Sequence, residues 1–352
     1  MIKNSELLDR YLREVVERKG SDLHLQTNSP AAIRILGEVV FLDEPPLDHK
    51  QMEDMVNEVL DEASQETLFS TGSVDFAYVI EDLARFRANF LLQHYGYGAV
   101  LRVIPSKIPT MEELNLPDVL REVCDYKKGL VIVTGPTGSG KSTTLAAMIN
   151  FINDNRAVHM ITIEDPIEFA HPSKKSMIQQ RQVGVHAKSF NQALRAALRE
   201  SPDIVLVGEM RDLETISEAI SAAETGHLVF GTLHTNSASK TVDRIIDVFP
   251  AAEKDMVRAM LSESIVAVIS QTLLKTKDGQ GRVAAHEIMV GSPAIRNLIR
   301  ENKVAQMYSA IQTSQAAGMQ TLDQCLVELV RRNQVSAAEA RARAVNKDLF
   351  GG

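Results

Sequence analysis

The stretch Gly135-Pro136-Thr137-Gly138-Ser139-Gly140-Lys141-Ser142 constrains this 352-residue chain more than any other. It fits the phosphate-loop pattern and stands where such a loop must stand, directly after the apolar run 130–134 and before the helical run 143–152 that Thr143 opens. Glycines let backbone N–H groups approach phosphate oxygens, and the following helix aims the positive end of its dipole at them. Lys141 then reaches the β and γ phosphates and Ser142 ligates magnesium, so ATP and Mg2+ are the expected cofactors.

The chain is long enough for two hydrophobic cores. With 44% hydrophobic and 24% charged residues it has the composition of a folded globular protein. A formal net charge of -8 and a pI near 5.7 give no global positive field, which argues against nucleic acid as a partner. Cys124 and Cys325 are far apart and outside any C-x-x-C pair, so neither a disulfide framework nor a four-thiolate zinc site is written here. Both read as buried, unreactive thiols. The chain opens without a basic leader followed by an apolar run, and no stretch approaches ~18 uninterrupted apolar residues. A cytoplasmic protein with no direct membrane insertion is the expectation.

Leu7, Leu8, Tyr11, Leu12, Val15 and Val16 recur at helical spacing over 5–19, with Gly20 placed as a C-cap glycine. Strands are expected at 22–25, 31–35, 73–79, 84–92 and 99–104, with one helical pattern over 48–68. This describes a small α+β domain over 1–103. Two prolines, Pro105 and Pro109, mark an extended linker over 104–116. Beyond it, strand-like runs at 130–134, 158–163, 204–207 and 228–233 alternate with helical stretches, the pattern of a parallel sheet covered by helices. The second domain, 117–352, therefore reads as α/β, and from about 251 onward as almost wholly helical, through 256–274, 293–300, 321–332 and 336–345.

Four further groups point to chemistry. Asp203-Ile-Val-Leu-Val-Gly-Glu209 is a buried strand ending in an acid, the position from which phosphate-loop proteins hold magnesium or polarise water, and Glu209 is the candidate. Glu164, Asp165 and Glu168 crowd around Pro166 just after a strand; such a cluster suits magnesium and an attacking water, or else is an exposed acidic turn. His227 and His234 bracket another short strand, as sensors of a γ-phosphate or as structural imidazoles. Arg195 and Arg199 lie four apart on one helix face, while Arg85, Arg87 and Arg102 sit on strands, where a cation needs a reason. An arginine supplied in trans is such a reason in phosphoryl transfer.

Taken together, 135–142, 164–168, 203–212 and 226–234 resemble the phosphate loop, Asp box, Walker B and His box of the secretion ATPases of type II and type IV pilus machinery, in order and spacing over essentially the whole chain. Within that superfamily of P-loop NTPases the chain is most similar to the type IV pilus retraction ATPases. The resemblance implies a PAS-like α+β first domain, a RecA-like second one, ATP bound between domains, and six subunits closed into a ring. It implies that Glu168 is the general base, Glu209 the Walker B acid, and His234 a γ-phosphate contact. Arg87 and Arg102 would reach the nucleotide at a subunit interface, with Arg195, Arg199, Glu164 and His227 near it. It also implies docking at the cytoplasmic face of the inner membrane onto a pilus platform protein, with an accessory retraction ATPase as a further partner.

Extension and secretion ATPases usually carry a four-cysteine zinc insertion, which two isolated cysteines do not supply. Ala294-Ile-Arg-Asn-Leu-Ile-Arg-Glu301 looks like the retraction family's C-terminal signature, with Ile295, Leu298 and Ile299 as an apolar stripe and Arg296, Arg300 and Glu301 facing elsewhere. A pilus-assembly or type II secretion ATPase, a nucleic-acid translocase and a non-catalytic ATP-binding protein are the competing readings. Gly208 stands before Glu209, where many P-loop enzymes have an aspartate, as is usual in the resembled family.

Overall fold

The computed structural model describes residues 4–81, 83–104 and 107–351. The chain divides into two compact units, Met1–Lys107 and Ile108–Gly352. Pro105, the first proline of the expected linker, lies outside the described residues. Met111 and Leu116, within that linker, are buried in the second unit's core, so this end of it is not a free connector.

In the first unit the order is α1 (Glu6–Glu17), β1 (Asp22–Gln26), β2 (Ala32–Ile35), β3 (Glu38–Phe41), α2 (His49–Val59), α3 (Glu62–Thr71), β4 (Ser73–Ile80), β5 (Ala84–Gln93) and β6 (Gly96–Ile104). α1 buries Leu8, Tyr11, Leu12 and Val15. The left-handed turn expected of Gly20 is taken by Lys19, at φ 55°. Gly20 is needed for close approach instead: a Cβ there would lie 2.4 Å from Ile33 Cγ2. The single helix expected over 48–68 is two, because Leu60 is extended and the Asp61 side chain accepts from Ser64 N at 3.1 Å to start α3. β3 was not expected; its four residues are all exposed and so lack alternation. Leu36 and Gly37, both at positive φ, make the tight turn that pairs it with β2.

The six strands are antiparallel in the order β3-β2-β1-β6-β5-β4. β5 shows the alternation of a half-buried strand: Ala84, Phe86, Ala88 and Phe90 point into the core, Arg85 and Arg87 out of it.

The second unit continues through α4 (Val119–Asp125), β7 (Gly129–Thr134), α5 (Lys141–Asn155), β8 (His159–Glu164), β9 (Met177–Gln182), α6 (Phe190–Ala197), β10 (Ile204–Val207), α7 (Leu213–Thr225), β11 (Leu228–Leu233), α8 (Ala238–Asp247), α9 (Lys254–Ser264), β12 (Ile265–Lys275), β13 (Arg282–Val290), α10 (Pro293–Arg300), α11 (Met307–Thr313), α12 (Leu322–Arg331) and α13 (Ala337–Arg343). Its sheet runs β13-β12-β7-β11-β10-β8-β9, parallel except for β13. Val131, Val133 and Phe230 pack with α4 and α5 on one face; Ile132, Val205 and Val229 pack with α6 to α9 on the other.

The reading of 251 onward as almost wholly helical is corrected here. The helix expected over 256–274 ends at Ser264, and β12 follows without a loop. Residues Ile265 to Gln271 are buried on both faces, so the strand has no polar alternation to betray it. Its β-branched run, Ile265, Val266, Val268 and Ile269, favours the extended form. Helices resume at α10, where Ile295 and Ile299 are buried as the stripe implies. Arg296 does not face away: it donates to the carbonyls of Gly291 (2.8 Å), Ser262 (2.7 Å) and Ile265 (2.9 Å), and to that of Glu263, closing the C-terminal end of α9.

Candidate functional site

The C-terminal ends of β7, β11, β10 and β8 lie side by side, and each delivers one piece of a site. After β7 the chain turns through 135–140 into α5. Gly135 has φ 146° and Gly140 φ 87°; a Cβ on Gly135 would meet the Gln271 carbonyl oxygen at 2.2 Å, and one on Gly140 would meet Gln271 Nε2 at 2.8 Å. Glycine is therefore required at both. Pro136, Thr137 and Gly138 form the tip, and Ser139 is buried with its hydroxyl unpartnered. Lys141 arches back, its Nζ donating to the Gly135 carbonyl at 2.9 Å and the Pro136 carbonyl at 3.1 Å. Burial holds its pKa below the ordinary lysine value, against the opposing fields of Glu209 and Glu168. Ser142 and Thr143 begin α5, half-buried.

Glu209 follows β10 by two residues. Gly208, before it, has room for no larger side chain without displacement: a Cβ would lie 3.0 Å from the Ile163 carbonyl oxygen of β8. That explains the missing aspartate. Glu209 Oε1 meets His234 Nε2 at 2.9 Å, and Arg211 grips both carboxylate oxygens, Nε to Oε1 at 2.5 Å and Nη2 to Oε2 at 2.5 Å. Burial would raise the Glu209 pKa, but Arg211 and His234 hold it below the usual value. The sequence reading did not single out Arg211; an arginine two residues past a strand-end acid was the available signal.

Glu164 ends β8 and turns inward, accepting from Thr162 Oγ1 at 2.6 Å and Gln180 Nε2 at 3.1 Å. Burial raises its pKa, reinforced by the charge of Glu168 and opposed by those bonds. Asp165 and Glu168 are exposed. The three carboxylates thus differ in setting: Glu164 is satisfied within the fold, whereas Asp165 and Glu168 stand exposed.

The two histidines sit apart, at opposite ends of β11. His227 stands at the opposite, N-terminal end of β11, with Nδ1 against the Ala222 carbonyl oxygen at 3.0 Å. Six strand residues, about 20 Å, separate it from His234, so only His234 joins the site of this chain. Arg195 pairs with Glu218 of α7 at 2.7 Å, and Arg199 lies past the end of α6, where the chain turns to the start of β10. Neither is brought to the phosphate loop of its own chain. Arg87 and Arg102 are directly opposite one another on β5 and β6, on the outward face with Arg85. Arg102 Nε is 2.7 Å from Asp22, and Arg87 Nε is 3.6 Å from Asp75.

A buried strand, a glycine turn and a helix opening on Lys-Ser, with an acid at the next strand's end, define a P-loop nucleotide-binding protein. The chain belongs to the type II/IV secretion system protein family, whose profile matches residues 3–342. It is 58% identical over 324 residues to a type IV pilus retractation ATPase, PilT, of Pseudomonas aeruginosa, covering 92% of this chain and 94% of that one. It is 54% identical to a twitching motility protein of Neisseria gonorrhoeae, over 90% of this chain and 84% of the relative. Its fold matches a crystal structure of the pilus retraction motor PilT with bound ADP, at TM-score 0.89 and 46% identity, over 96% and 97% of the two chains.

Proposed function

We propose that this chain is an ATP-hydrolysing motor that powers type IV pilus retraction. The observation that carries the reading is Lys141, folded back over its own phosphate loop with its Nζ on the Gly135 and Pro136 carbonyls, in a chain this similar to a retraction ATPase. Gly135 to Thr143 bind the phosphates, and Lys141 trades its two loop carbonyls for phosphate oxygens. Ser142 and Glu209 offer the hard oxygen donors that suit Mg2+, which would neutralise charge developing on the phosphates.

Glu168 acts as the base that orients and deprotonates the attacking water, and His234, bonded to Glu209, reports the γ-phosphate. Six subunits form a ring in which Arg87 and Arg102 of one subunit reach the nucleotide of its neighbour. Movement of the ring is passed to a platform protein at the inner membrane, on its cytoplasmic face. Among the described residues no helix is long and apolar enough to cross a membrane.

The test is the number of surface pili after deleting the gene, counted by electron microscopy, with complementation by the wild-type chain or by Glu209→Gln. Excess pili in the deletion strain and with Glu209→Gln, but not with the wild type, are expected. Bald cells would make it an assembly motor, and an unchanged count would overturn the reading.

A further inference from the structure

β12 carries a buried amide to the back of the phosphate loop. Gln271 is 3% exposed; its Nε2 donates to the Ser139 carbonyl at 2.7 Å and its Oε1 accepts from the Thr144 hydroxyl at 2.7 Å. A carbonyl only accepts, so the orientation of this amide is fixed by its partners. Two loop glycines are shaped to it, Gly135 by its backbone oxygen and Gly140 by its Nε2. An amide taken from water is costly unless bonded at both ends, and here both ends are spent on the loop and on the first turn of α5.

We propose that Gln271 is a positioning residue of the phosphate loop, holding the Ser139–Gly140 peptide so that the Gly140 N–H is aimed at the phosphates of the nucleotide. The peptide is trans, so its N–H points opposite to its carbonyl. A carbonyl drawn toward β12 therefore turns that N–H away from β12. Thr144 steadies the amide from the other side. The proposal rests on the nucleotide reading above.

Three purified chains are compared: the wild type, Gln271→Met, which keeps the side-chain volume and removes both bonds, and Thr144→Val, which removes only the second. Each is titrated with a fluorescent ADP analogue and assayed for ATP turnover. Gln271→Met should bind ADP about tenfold more weakly, with KM for ATP raised by a similar factor and kcat nearly unchanged, since a ground-state contact is lost as much as a transition-state one. Thr144→Val should show the same pattern at about threefold. A packing role would instead lower kcat, through fewer folded sites, at unchanged KM. That outcome, or wild-type affinity in Gln271→Met, overturns the proposal. If Gln271→Met does not fold, Thr144→Val decides by the same split. A wild-type chain that binds no ADP would overturn the nucleotide reading itself, and a wild type that binds beside an unaffected variant overturns the positioning role alone.

Discussion

The six-stranded sheet lies against helices on one face and turns Arg85, Arg87 and Arg102 out on the other, while the seven-stranded sheet from β8 to β12 is covered on both. The one-sided sheet writes its burial into the sequence as alternation; the two-sided one writes only apolar runs, which strand and helix share. Its polar groups are at strand ends, where the site is, or are buried and bonded within the fold like Gln271, whose amide is held at both ends. The comparison teaches that in the first unit a cation on a strand marks the outward face, whereas in the second the buried Gln271 within a strand is committed to partners.

The sharpest way to break this comparison is Arg87. Its partner in the chain, Asp75, is a half-exposed ion pair worth about 0–1 kcal/mol, so Arg87→Ala should hardly move the melting temperature. If the outward face serves a neighbouring subunit's nucleotide, the same change lowers turnover about 10³-fold, and mixing with Lys141→Ala subunits restores part of it. Retained turnover in Arg87→Ala would remove Arg87 from the chemistry and leave Arg102 as the first unit's candidate.

Burial itself gives the next test. Phe230 on β11 is 0% exposed, and Phe230→Ala should cost about 3–5 kcal/mol in urea unfolding. Phe41 on β3 is 62% exposed, and Phe41→Ala should stay within about 0.5 kcal/mol. A Phe41→Ala penalty near that of Phe230→Ala would mean that β3 is covered in solution.

The smallest expected effect is a pH slope. Burial pushes the His286 imidazole of β13 down to about 4, so the folded chain keeps it neutral while the unfolded chain takes up a proton below about pH 6.5. Its contribution is intact above that pH and falls as pH drops toward 4. Melting temperatures between pH 7 and 5 should decline more gently in His286→Gln; an unchanged slope would exclude this histidine, leaving His171, which burial also pushes down to about 4.

The two rules also account for what was legible in the sequence. β5 and α1 announced themselves by period, and β7, β10 and β11 by short apolar runs between turn signals. The phosphate loop was legible because its glycines, lysine and serine are adjacent in sequence. β12 was not, since its residues to Gln271 have no exposed face, and β9, with Gln179, Gln180 and Gln182, was too polar to read as a strand. Gln271 was missed because its partner, Ser139, is brought to it by the fold, and Arg211 because only its nearness to Glu209 marks it. Ser270 and Gln271 inside an apolar run were the signal, since buried polar groups seek bonds. His227 misled because a strand's length separates two residues that flank one motif.

Arg296 carries a lesson for genetics. Three carbonyls at the junction of α9 and β12 and that of Gly291 before α10 converge on one planar cation, a geometry that the three donors of a lysine ammonium do not reproduce. A mutational scan of 294–301 therefore scores Arg296 for its hold on the end of α9, whatever else that segment does. Arg300 differs: its ion pair with Glu263 lies at the surface, so changing it leaves the end of α9 closed.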